Sequence, residues 1–159
     1  MAKKRQPVTD FKISRLVLKF EQNLYRILEN APKKYDYDLK QQTKDVLGFM
    51  KRLLAKSLKI LPYSRSMWRY KTDLLNDAYA EIGLLQFNLC QLNDLAAISN
   101  KSKVCLDIQL AEIELNFLNL LSSFTKKAGG SDVIECALDA ESEIIRTCNC
   151  DETEGGSDA

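Results

Sequence analysis

The 159-residue chain contains no histidine, the side chain best suited to proton transfer near neutral pH. Its strongest candidate nucleophiles and soft metal ligands are five cysteines, Cys90, Cys105, Cys136, Cys148 and Cys150. Their spacing is irregular. Cys148 and Cys150 stand one residue apart, but no second ligand pair follows at zinc-site spacing. An odd number of cysteines in a chain expected to be cytosolic reads as free thiols. Glu112 and Glu114 are two residues apart, so on a helix they point to different sides and cannot act as a carboxylate pair. Neither a glycine-rich phosphate loop nor a nucleophile elbow is present. The expectation is a protein without catalysis, metal or cofactor, working by binding.

Cations are the chemistry that remains. Residues 1–127 hold 22 Lys and Arg against 13 Asp and Glu, a surplus of nine. Residues 128–159 hold one Arg against nine Asp and Glu, a deficit of eight, which leaves the net +1 of the whole chain. A basic body with an acidic tail points to an anionic partner and to a tail that competes for the same surface. Lys33 and Lys34 precede a helical segment on which Lys40, Lys44 and Lys51 form one stripe and Arg52, Lys56 and Lys59 the next. Arg65, Arg69 and Lys71 follow, interleaved with Trp68 and Tyr70. Such stripes match the regularly spaced phosphates of a nucleic acid, and the aromatic rings add possible stacking on unpaired bases. Lysine-rich helix faces are also often simply solvated, and Asp36, Asp38, Asp45 and Asp73 dilute this field.

The elements that must position these groups are helices. Breaks fall at Pro32, at Pro62, at Ser99-Asn100 and at Gly129-Gly130, and no segment alternates with strand period. Helices are predicted over 11–31, 38–61, 65–98 and 101–126, within a domain 11–127. A basic arm (1–10) precedes it, and an acidic extension (128–159), disordered or forming one short helix, follows. The first helix carries Ile13, Val17, Phe20, Leu24, Ile27 and Ala31 on one stripe. The second carries Leu39, Thr43, Val46, Met50, Leu53, Ser57 and Ile60. The third uses Ala78, Ile82, Leu85, Leu89, Leu92 and Ala96, and the fourth Leu106, Leu110, Ile113, Phe117, Leu120 and Phe124. Short connections make the predicted fold an all-α, antiparallel up-down four-helix bundle. The N-terminus has no apolar run of secretory type and no segment is long enough to span a bilayer, so a cytoplasmic location is expected.

The last two helices carry more apolar surface than one bundle core uses. Ala80, Leu84, Phe87 and Ile98 form a second stripe on the third helix. Val104, Ile108, Ala111, Leu115 and Leu118 form one on the fourth. A helix apolar on opposite sides is buried on both. Either Val133, Ile134, Ala137, Leu138, Ile144 and Ile145 of the extension cover this surface, or copies of the protein pack through it. Self-association is the favoured expectation.

The segments Ala31–Leu58 (APKKYDYDLKQQTKDVLGFMKRLLAKSL) and Ile98–Phe124 (ISNKSKVCLDIQLAEIELNFLNLLSSF) resemble a family of small four-helix-bundle proteins. It includes the proteins of bacterial 23S ribosomal RNA intervening sequences and the accessory variability determinant of diversity-generating retroelements. The similarity covers about residues 10–127. It implies a homopentamer that binds a reverse transcriptase and RNA or cDNA in support of mutagenic reverse transcription. By position it implicates Lys33, Lys34, Lys51, Arg52, Lys56, Lys59, Arg65 and Arg69. The acidic extension lies beyond the family's usual domain. A scaffold of the intervening-sequence type, with no nucleic-acid role, is the alternative.

Overall fold

The computed structural model describes residues 6–31 and 37–129. A single 3-10 turn (Val8–Asp10) leads into α1 (Lys12–Asn30), which is followed by α2 (Tyr37–Lys59), α3 (Arg65–Asp94) and α4 (Asn100–Lys127). The described residues contain no strand, and the architecture is a four-helix bundle. Each helix packs on its neighbours in a ring, α1 on α2, α2 on α3, α3 on α4 and α4 back on α1. No helix of the described residues is long and apolar enough to cross a membrane.

The apolar stripes meet along the bundle axis. Phe20 and Leu24 of α1, Leu47 and Met50 of α2, Leu75, Ile82 and Leu85 of α3, and Leu106 and Phe117 of α4 lose essentially all solvent contact. Tyr79 tilts against Phe117 with ring centroids 6.2 Å apart. Where a four-three spacing drifts away from the true helical period, the next residue takes the inward position. Leu28 is buried in place of Ile27, Leu47 is buried beside the half-buried Val46, Leu54 joins Leu53 inside, and Leu121 replaces Leu120. Thr43 is enclosed because its Oγ1 donates back to the Leu39 carbonyl at 2.8 Å, leaving only its methyl to pack.

Helix ends follow local chemistry. Ser64 caps α3 by accepting from the Met67 amide at 3.3 Å, and Ser99 caps α4 by accepting from Ser102 at 3.1 Å. α3 stops at Asp94, short of the expected 98. The Ala97 amide donates to Leu92 O at 2.8 Å and the Ala96 amide to Asn93 O at 3.0 Å, the paired bonds of a Schellman ending. This geometry places Ala96 in the left-handed region at φ 57°, a position normally taken by glycine. Ala96 is therefore exposed, outside the core expected for it, while Ile98 turns inward and leaves the outer stripe.

Ala96→Gly is expected to raise unfolding stability by about 1 kcal/mol, because it removes the Cβ clash of a left-handed alanine. Urea denaturation of the two proteins measures this, and an unchanged midpoint would show that the backbone carries no strain there.

Candidate nucleic-acid interface

The two basic stripes of α2 have different fates. Lys40, Lys44 and Lys51 face α1, where each meets a partner. Lys40 reaches Ala31 O at 3.5 Å, Lys44 sits 5.0 Å from the centre of the Tyr25 ring, and Lys51 donates to Glu21 at 2.6 Å. Arg52, Lys56 and Lys59 lie exposed on the outer side. Lys33 and Lys34 lie outside the described residues, as do the expected tail helix, Cys136, Cys148 and Cys150.

The exposed cations converge at one end of the bundle. Because the helices alternate in direction, the starts of α1 and α3 meet the ends of α2 and α4 there. Trp68 near the start of α3 packs on Phe124 near the end of α4, ring centroids 5.6 Å apart. A Cβ built on Gly129, just past α4, would lie 3.7 Å from the Arg65 guanidinium. This pole exposes Lys12 and Arg15 of α1, Lys56 and Lys59 of α2, Arg65 and Arg69 of α3, and Lys126 and Lys127 of α4. Asp10 and Asp73 are exposed among them. The lysines ending α2 and α4 complement the negative ends of their helix dipoles. Lys12 and Arg65 oppose the dipole, standing in the first turns of α1 and α3 with no acid in either first turn, and Arg69 follows one turn after Arg65. Helix stability does not account for cations placed there.

Between α3 and α4 the pole holds a 140 Å³ recess lined by Arg69, Thr72, Asp73, Thr125, Ala128 and Gly129. The Thr125 hydroxyl is buried without a hydrogen-bond partner. Lys12, Arg15, Lys126 and Lys127 were not among the cations singled out from sequence. The up-down topology itself is the signal that finds them, since it places the first turns of odd helices beside the last turns of even ones.

Two sequence expectations change here. Lys71 is no surface cation. It is 6% exposed, and its ammonium donates to Ser57 O at 2.9 Å and Ile60 O at 3.0 Å, with Leu58 O at a looser 3.5 Å. The Ser57 hydroxyl donates to Lys71 O at 2.8 Å in return. Lys71 thus closes the carbonyl end of α2 from the neighbouring helix. Burial, and then the nearby Lys127 charge, hold its pKa below the ordinary 10.5. Trp68 is half-buried, with Lys127 4.8 Å and Lys71 6.0 Å from its ring centre, so it is a packed ring rather than an open stacking platform. The exposed rings at this pole are Tyr63 and Tyr70.

The outer face of α3 and α4 is apolar and open. Phe87 is 73% and Ile108 66% exposed, with Leu84, Val104 and Leu115 about half so. Ala80 and Ala111 are also exposed. The Gln86 amide donates to Glu114 at 2.6 Å, which sets the two helices in a register that brings Leu84 and Phe87 level with Ile108 and Ala111. Gly83 lies among them with open space where a Cβ would be. Leu118, expected on this face, is 7% exposed and belongs to the interior, because its position on α4 turns toward α3. Phe49 of α2 is a further exposed aromatic.

Cys90 and Cys105 are free thiols, and the described residues contain no cluster of acids and cysteines able to hold a metal. At the far pole Lys103 is closed on Asp107 at 2.7 Å, a hydrogen bond that raises the lysine pKa. No protein-family model and no curated protein matches the sequence.

Lys71→Met leaves the α2 carbonyls buried without a donor and is expected to cost about 2–4 kcal/mol of stability. The depressed pKa adds a sign. The folded chain releases this proton before the unfolded chain does, so burial of the charge penalises folding below the depressed value. The penalty is relieved as pH rises toward 10.5. The stability deficit of the variant should therefore widen from neutral to alkaline pH in denaturation curves. A deficit that shrinks would place the charged form as the favoured one.

Proposed function

We propose that this chain is a non-enzymatic, self-associating bundle that binds RNA or cDNA at its basic pole as an accessory to a reverse transcriptase. The observation that carries the nucleic-acid part is the collection of exposed cations from four helix ends at one pole. Arg65 weighs most, because it stands where the helix dipole disfavours a cation, and Arg69 follows it one turn on. Arg52, Lys56 and Lys59 extend the same field along α2. The recess beside Arg69 has room for a phosphate group.

The exposed face built from Leu84, Phe87, Val104, Ile108 and Leu115 supports homo-oligomerisation, since isolated domains rarely leave so continuous an apolar patch in water. The resemblance to retroelement accessory proteins supplies the pentameric count and the reverse transcriptase. The lack of histidine supports a role without catalysis. One observation favours the alternative, a protein scaffold without nucleic acid. Lys40, Lys44 and Lys51 already have partners inside the bundle, so the anion-binding surface is smaller than the sequence implied.

Fluorescence anisotropy with a single-stranded RNA separates the two. Affinity is expected to fall steeply with salt, and Arg65→Glu combined with Arg69→Glu to weaken binding roughly tenfold and flatten the salt slope by about 1–2. Unchanged affinity in that double variant would favour the scaffold. Light scattering tests the assembly. The native chain should run as a multimer, and Phe87→Glu with Ile108→Glu should give a folded monomer by circular dichroism. A native monomer would remove self-association.

A further inference from the structure

Residues 130–159 carry nine carboxylates against one cation, Arg146, and Gly129, which precedes them, lies at the basic pole. Gly129, the last described residue, packs against the Arg65 guanidinium and lines the recess shared by Arg69 and Thr125. The Ala128 and Gly129 amides donate to Phe124 O and Lys126 O, which holds these two residues at the pole. Asp132 follows three residues later, and Glu135, Asp139, Glu141 and Glu143 come soon after. Ten residues of extended chain span roughly 33–36 Å, and neighbouring helix axes are about 8–10 Å apart, so these acids reach every cation of the pole.

We propose that the segment 130–159 docks on the basic pole as an intramolecular polyanion and competes there with nucleic-acid phosphates. The docking rests on charge and chain geometry alone; the competition rests also on the nucleic-acid role proposed above. A tether this short holds its acids at an effective concentration on the order of millimolar, so weak individual contacts compete well against an RNA present at lower concentration. The contacts are solvent-exposed and salt therefore releases them, over a screening length of about 8–10 Å. The function would be selectivity. Short or sparse phosphate ligands lose to the tether, and a long strand touching many cations displaces it. The rival site for this segment is the outer face of α3 and α4, which would take Val133, Ile134, Leu138, Ile144 and Ile145 instead of the acids.

The test uses the full chain and a full-length variant with Asp132→Asn, Glu135→Gln, Asp139→Asn, Glu141→Gln and Glu143→Gln. Zero-length carbodiimide cross-linking, without RNA, should join acids of the segment to Lys56, Lys59, Lys126 or Lys127. Acetylation of those lysines should run roughly threefold faster in the variant, with Lys101 at the far pole unchanged. Affinity for a single-stranded RNA at low salt should tighten roughly fivefold to tenfold in the variant. Cross-links confined to Lys101 or Lys103, or equal labelling in both proteins, would overturn the docking. Docking with no change in RNA affinity would overturn the competition. Should neither protein bind RNA, the nucleic-acid role fails by itself, while the cross-links still decide where the segment sits.

Discussion

The carbonyl end of α2 is closed from outside its own helix, and the arrangement at that pole depends on it. A helix terminus leaves its last carbonyls unpaired, and burying them without donors costs more than the turn between α2 and α3 can return. Lys71 meets that demand from the second turn of α3, and Ser57 answers by binding the Lys71 carbonyl. These reciprocal bonds fix the angle at which α3 leaves the 60–64 link. The fixed angle holds Trp68 against Phe124 and brings the cations at the start of α3 beside those at the end of α4. A buried ammonium is a costly cap. Its cost is shared with the aromatic rings around it, Phe124 at 4.9 Å and Trp68 at 6.0 Å from the charge.

Most of the bundle was legible in the sequence, because four segments repeat apolar residues at helical period between evident breaks. Ile13, Val17, Phe20 and Leu24 need no tertiary knowledge to be placed inward. The outer stripe was equally legible at Phe87 and Ile108, whose exposure follows from lying opposite Leu89 and Leu110. The failures share a cause: each depended on a neighbouring element. Lys71 reads as a surface cation until the end of α2 is known to need a donor. Leu118 reads as outward until α3 is known to lie on that side of α4. The end of α3 was placed late because its terminating residue is Ala96, where a glycine would have marked the stop.

The basic site was legible as composition and illegible as place. Counting lysines on α2 overstates the surface, because a stripe that borders α1 finds Glu21, Tyr25 and a free carbonyl there. Counting residues along one helix also misses a site made of four helix ends. Lys12, Arg69 and Lys127 are far apart in sequence and share a pole only through antiparallel packing. What distinguishes this pole from solvated surface is the sign of the charge relative to the helix dipoles. Lys59 and Lys127 are where helix electrostatics would put them, and Lys12 and Arg65 are not.

The apolar face and the basic pole point in different directions, one out from the side of the bundle and one along its axis. That separation matters for the proposed assembly. A closed ring needs the α3 side of this face on one subunit to meet the α4 side on the next; around an axis parallel to the helices all subunits would keep the same end up, with every basic pole on one rim. A twofold axis across the helices would instead send the poles to opposite ends. In such a ring, cations that are weak ligands singly would form a continuous track, and a strand engaged at one subunit would meet the next at high effective concentration. In the proposed assembly the open face would act on nucleic acid without touching it, by setting how many poles one strand can reach.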